Sequence, residues 1–137
     1  MTELSKLSVG LMGQTTLRVA AEHTAPRVGS GRVAVLATPV MINLFEAAAL
    51  AAIEDLLPAG AQSLGTHLDV RHFAATPVGM TVTAIARVTA IEGRLVSFQV
   101  EARDDRELIG DGTHQRVVVN VARFDERVRK KQSAPVV

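Results

Sequence analysis

The chain has 137 residues, the size of one ordinary domain, and its 47% hydrophobic and 21% charged residues are those of a soluble protein with a real core. A net charge of +1 offers no global field for a polyanion, and four Phe with neither Trp nor Tyr leave few platforms for stacking bases, so nucleic-acid binding is not expected. Having no cysteine, the chain has no thiol nucleophile, no disulfide framework and no Cys-based zinc site.

The N-terminal Met1-Thr2-Glu3-Leu4-Ser5-Lys6 lacks the basic-then-apolar layout of a secretory signal, which points to a cytoplasmic protein. Gln14 to Ala20 reads as a first strand, with Leu17 and Val19 alternating against Thr16 and Arg18. Ala25 to Arg32, with Pro26, Gly29 and Gly31, reads as a loop. The most apolar stretch, Val33 to Ile53, approaches the ~20 residues of a membrane span. It carries Pro39, Asn43 and Glu46, however, and a carboxylate near the centre of a lone span costs about 2.5 kcal/mol or more. A helix buried in a soluble core, from about Val40 to Leu57, is the better reading, and no membrane association is expected. Thr38 suits its N-cap and Pro39 its first position, because Pro has no N–H to lose there.

Four extended segments follow. Ser63 to Ala75 alternates, Thr76-Pro77-Val78-Gly79 turns, and Met80 to Ile91 alternates again on β-branched residues. Glu92-Gly93-Arg94 makes the next turn, and Leu95 to Arg103 places Val96, Phe98, Val100 and Ala102 on one face. Asp104 to Glu107 turns once more before a last strand from Leu108 to Arg123. Arg123, Arg127, Arg129, Lys130 and Lys131 concentrate positive charge beyond it, read as a solvated tail in preference to an anion site. No repeat and no linker divides the chain, so residues 1–137 are expected to form a single domain.

Short turns favour antiparallel neighbours, and the helix has too little polar surface to lie exposed on a sheet. An α+β hotdog fold, a curved antiparallel β-sheet wrapped around one long central α-helix, satisfies both constraints. Such a layer leaves sheet edges and apolar surface uncovered, which predicts a homodimer or a tetramer.

Between Pro39 and Ile53 the only charged side chain is Glu46. A buried carboxylate needs a partner, whether structural or catalytic. Strand parity offers one: Leu64, Leu68, Val70, His72 and Ala74 share the apolar face, and His67, Asp69, Arg71 and Phe73 the other. A carboxylate and an inward imidazole make a common acid/base unit. Thr38, at the helix start, either caps the helix or lies where the N-terminus polarises an acyl oxygen. Arg116, taken alone, reads as an exposed strand residue. His67 and Asp69 read as exposed alternation and not as a metal pair, and no metal is expected. G-x-S-x-G, H-E-x-x-H, G-x-x-x-x-G-K and G-x-G-x-x-G are all absent.

The helix, Ser63-Leu64-Gly65-Thr66, Val70-Arg71-His72, Ala74-Ala75-Thr76-Pro77-Val78-Gly79, Ile91-Glu92-Gly93-Arg94, the segment Ile109-Gly110-Asp111-Gly112-Thr113-His114-Gln115-Arg116, and Arg123-Phe124 with the basic tail together resemble the fluoroacetyl-CoA thioesterase family of hotdog proteins. The likeness runs from about Leu36 onwards. It implies hydrolysis of a short-chain acyl-CoA to the free acid and CoA, with catalytic Thr, Glu and His at Thr38, Glu46 and His72. Glu46 would be base or carboxylate nucleophile, His72 its acid/base partner and Thr38 an orienting or nucleophilic hydroxyl. The resemblance further implies that Gly65 lets its backbone approach the thioester and that Arg116 contacts the bound acyl-CoA. No cofactor is implied beyond the coenzyme A of the substrate. Two alternatives keep the fold: a non-hydrolytic acyl-CoA binding protein, and an enoyl-CoA hydratase using His72 and Glu46.

Overall fold

A computed structural model describes residues 4–133, so Met1 to Glu3 of the segment read as lacking a secretory signal lie outside the described residues. Strands β1 (Met12–Arg18), β2 (Ala61–His72), β3 (Thr81–Glu92), β4 (Leu95–Arg103) and β5 (Leu108–Asn120) form one antiparallel sheet in the order β1-β3-β4-β5-β2. Tight turns dictate this order at β3–β4 and β4–β5, with Gly93 taking the positive φ of 63° that its turn needs. The alternation of β4 is that read from the sequence: Val96, Phe98, Val100 and Ala102 are all buried.

One short helix takes up the first half of the loop expected at Ala25 to Arg32, and residues 29–32 stay irregular. One turn of 3-10 helix (Ala21–His23) leads into α1 (Ala25–Val28). Pro26 sits at its start and Gly29, with φ 94°, ends it in the left-handed conformation, so the residues read as loop punctuation bound one helical turn instead.

The long helix α2 spans Thr38–Ile53 and continues as 3-10 helix through Glu54–Leu56, close to the expected Val40 to Leu57. It buries Met41, Leu44, Phe45, Ala48, Ala49, Ala52 and Ile53 mainly against β1 and β3. Gly13 lets β1 press against the helix, since a Cβ there would collide with the backbone at Ala48 and Ala52. Phe45 and Phe98 anchor the core from helix and sheet, each contributing roughly 3 kcal/mol by burial. This placement leaves the β2–β5 half of the concave face lightly covered by the helix.

Expectation and structure part at two further places. In β2 a bulge between Gly65 and His67 shifts the register against β5. Ser63 and Gly65 therefore face inwards opposite Val118 and Arg116, while Leu64, expected on the core face, points outwards; beyond the bulge Leu68, Val70 and His72 face inwards. At the other end, β5 stops at Asn120 and the residues read as strand end and tail form α3 (Val121–Ser133), whose N-terminal turn is fixed by Asn120 Oδ1 accepting from the Arg123 N–H at 3.0 Å. No helix among the described residues is long and apolar enough to cross a membrane.

Candidate active site

Thr38 does not cap α2. The N-cap is Ala37, Thr38 is the first helical residue with Pro39 behind it, and no side chain caps the terminus. Freed from that role, Thr38 Oγ1 lies 2.7 Å from His72 Nδ1 at the last residue of β2. Desolvation holds the His72 imidazole below its ordinary range, with the Ala74 backbone opposing, so it is neutral near pH 7. Its Nε2 is buried and has no hydrogen-bond partner among the described residues. Both side chains line a pocket of about 350 Å³ whose wall includes Leu36, Phe73 and Ala74.

Glu46 is elsewhere. It lies eight residues along α2 from Thr38, about 12 Å at 1.5 Å per residue, and its Oε2 accepts from Arg116 Nη1 at 3.3 Å. The expected Glu46–His72 partnership therefore does not form within one chain. Arg116, read as exposed, is 5% exposed and is the hub of a network beneath the β2 bulge. Its Nε donates to Ser63 Oγ at 2.8 Å, its Nη2 to the Ser63 carbonyl at 3.1 Å, and its Nη1 also reaches His114 Nε2 at 3.2 Å. Ser63 passes the contact on, its hydroxyl and N–H donating to Glu54 at 2.6 and 2.9 Å.

A guanidinium can only donate, so His114 Nε2 must accept and its Nδ1–H donates to the His67 carbonyl at 2.8 Å. Desolvation, aided by the Arg116 charge, keeps this fully buried imidazole below its usual range against the raising effect of the His67 carbonyl and Glu46. Its ring stacks on Phe98 at 5.8 Å between centroids. Gly65 closes the group: a Cβ there would come within 2.5 Å of Glu46 Oε2 and 3.2 Å of His114 Cε1.

The chain thus presents two separate groups. Thr38 and His72 form a hydroxyl–imidazole pair at one end of β2, and Glu46, Gly65 and Arg116 form a carboxylate-bearing cluster near its middle. His114, Ser63 and Glu54 were not singled out from sequence. The available signal was parity, since His114, Arg116 and Val118 fall on the face of β5 opposite the inward residues of β2.

Known proteins resemble this chain in sequence and in fold. The family model for fluoroacetyl-CoA-specific thioesterase matches residues 19–122. A fluoroacetyl-CoA thioesterase of Streptantibioticus cattleyicolor is 44% identical over 100 residues, which are 73% of this chain and 72% of the relative. The solved structure of the fluoroacetyl-CoA thioesterase FlK superposes with a TM-score of 0.86 at 36% identity, covering 94% of this chain and 98% of that one. A hot-dog-like protein from Thermanaerovibrio acidaminovorans, at 22% identity, has a TM-score of 0.87 over 96% of this chain and 97% of its own, a likeness of fold.

Proposed function

Because the chain belongs to the fluoroacetyl-CoA-specific thioesterase family and is a thioester hydrolase, we propose that it hydrolyses short-chain acyl-CoA at a site built from two copies of itself. Thr38 and His72 of one copy would meet Glu46, Gly65 and Arg116 of the second. The observation that carries this reading is the 2.7 Å Thr38–His72 bond beside a buried His72 Nε2 that lacks a partner among the described residues.

Support for the second copy comes from β2, which among the described residues pairs only with β5 and so leaves one edge open. Its inward Leu68 is 37% exposed because α2 covers the other half of the sheet. A two-fold pairing of β2 strands near Asp69 would set Leu68 of one copy against Val70 of the other and bring His72 beside the second copy's Gly65–Thr66 bulge. Glu46, adjacent to that bulge, would then accept the orphaned Nε2–H.

In this arrangement Thr38 Oγ attacks the thioester carbon and its proton passes to His72 Nδ1, the imidazolium being stabilised by the carboxylate of the second copy. The N-terminus of α2 and the backbone N–H at Gly65 take the developing oxyanion. The C–S bond breaks, the sulfur takes the proton back from His72, and water activated by the same imidazole releases the free acid from the threonyl ester. The 350 Å³ pocket favours a small acyl group. The test is free-thiol release from acetyl-, haloacetyl- and phenylacetyl-CoA by wild type beside His72→Ala and Glu46→Gln. Turnover lost in both variants is expected; turnover intact in Glu46→Gln would remove Glu46 from the reaction, and binding without turnover by wild type would select an acyl-CoA binding protein.

A further inference from the structure

The pocket beside Thr38 and His72 carries a charge that the thioester chemistry leaves unused. Most of its wall is small or apolar, including Leu36, Ala74 and Ala75, but Ser30 and Arg32 line it too. Arg32 is the one ionised side chain of that wall among the described residues, since His72 is neutral near pH 7 and no carboxylate lines it. It makes no ion pair among the described residues. Arg71, by contrast, lies 5.5 Å from the ring centre of the lining Phe73 and is held by Asp111 at 3.1 Å.

The backbone holds Arg32 in place although its side chain is exposed. The Ala25 N–H donates to the Val35 carbonyl at 3.0 Å and the Ser30 N–H to the Ala25 carbonyl at 3.0 Å, so both ends of segment 30–35 are tied to the start of α1. Thr24 and Leu36 bridge just outside these bonds. Gly31 fits closely there, as a Cβ would stand 3.3 Å from that of Ala25. A guanidinium on so short a closed loop is confined to the pocket rim, and its planar fork suits the two oxygens of a carboxylate.

An uncharged acyl chain in this pocket would cover those donors and give them nothing to bond, which costs affinity. A carboxylate at the far end of the chain answers them. Such a chain also needs a cation, because in the two-copy site proposed above it enters beside the second copy's Glu46, a like charge. We propose that the acyl group ends in a carboxylate, the substrate being a short dicarboxylic acid joined to CoA through one end while Arg32 grips the other. The inference rests on the thioesterase reading above and names its substrate class. The products are then CoA and a free dicarboxylate. A pocket of about 350 Å³ limits the chain to a few carbons.

The test measures kcat/KM for malonyl- and succinyl-CoA against acetoacetyl- and levulinyl-CoA, neutral counterparts in which a methyl replaces one carboxylate oxygen. Wild type is compared with Arg32→Gln and Arg32→Glu, whose position is exposed, so the fold is not at risk. Wild type should favour at least one acid over its counterpart by about tenfold or more, and Arg32→Gln should remove most of that preference, the loss falling on the acid. Arg32→Glu should reverse it. No preference in either pair, or an equal fall with acid and counterpart in Arg32→Gln, overturns the proposal; the second result would put Arg32 on a part of the substrate common to both. Calorimetry with thioethers of CoA needs no turnover. The carboxyethyl thioether should bind wild type about tenfold more tightly than the butyl thioether, and Arg32→Gln should bind the two alike. Equal binding by wild type overturns the assignment. A preference for the carboxyethyl thioether in a wild type that hydrolyses no thioester would leave carboxylate recognition standing and remove the thioesterase reading.

Discussion

Arg116 Nη1 lies 3.3 Å from Glu46 Oε2, across seventy residues of sequence, and the two ends of this pair differ sharply in burial. The guanidinium side chain is 6% exposed and the carboxylate 37%. Arg116 is therefore held by Ser63 and His114 beneath the sheet edge, and it presents Glu46 to the open side without enclosing it.

Arg116→Ala should leave Glu46, His114 and both Ser63 contacts without their donor. The expected loss is about 2–4 kcal/mol, discounted because Glu46 keeps some solvent, and is read as a lowered midpoint in urea. Arg116→Lys should recover little of it, since one ammonium cannot reproduce the planar fork that reaches Ser63, Glu46 and His114 together. Full recovery by Lys would show that charge alone matters there.

Gly65→Ala places a methyl 2.5 Å from Glu46 Oε2, the movable end of a side chain. The protein should fold, with the carboxylate pushed off Arg116 and kcat/KM reduced on the order of tenfold or more. Wild-type turnover in this variant would mean that the present Glu46 position is not the working one.

Two inactive variants should rescue each other if the site is shared between copies. In a heterodimer of Glu46→Gln and His72→Ala, one site carries both changes and the other neither. Refolding an equimolar mixture should give about a quarter of wild-type activity, because half the dimers are mixed and each has one intact site. No recovery despite verified subunit exchange would place the whole reaction within one chain.

Both inward histidines are held below the ordinary imidazole range, chiefly by desolvation. The folded state thus binds protons less readily than the unfolded chain, whose histidines titrate near about 6.5. Their stabilising contribution is complete above that value and is lost as pH falls through it towards the lower folded values. The melting temperature should fall between pH 7 and 5, and His114→Asn should flatten that slope. Activity should show an acid limb reporting protonation of His72. A limb that persists in the residual turnover of His72→Ala would assign it to another group.

Much of this fold was legible locally. The alternation in Leu95 to Arg103, the glycines at the turns and the Ala- and Leu-rich run after Pro39 each carry their meaning within a few residues, because strand and helix periods are short-range properties. Helix α3 was legible too, in the spacing of Val121, Phe124 and Val128, but the β-branched run before it carried the strand reading on to Arg123. Residue types and the family resemblance placed Thr38, Glu46, His72, Gly65 and Arg116 among the candidates, and Thr38 does lie against His72.

The division of those residues into two separate groups was decided only in three dimensions. One unpaired residue at the Gly65–His67 bulge turns Ser63 and Gly65 inwards and Leu64 outwards, and no alternation pattern announces where a bulge falls. The burial of Arg116 and His114 follows from which strand lies beside β5, a choice made by long-range pairing. Sequence by itself determined the long helix, the strands and the chemistry available, since these depend on side-chain type and local period. Tertiary structure decided which groups meet, since contact depends on register and on the side of the sheet that the helix covers.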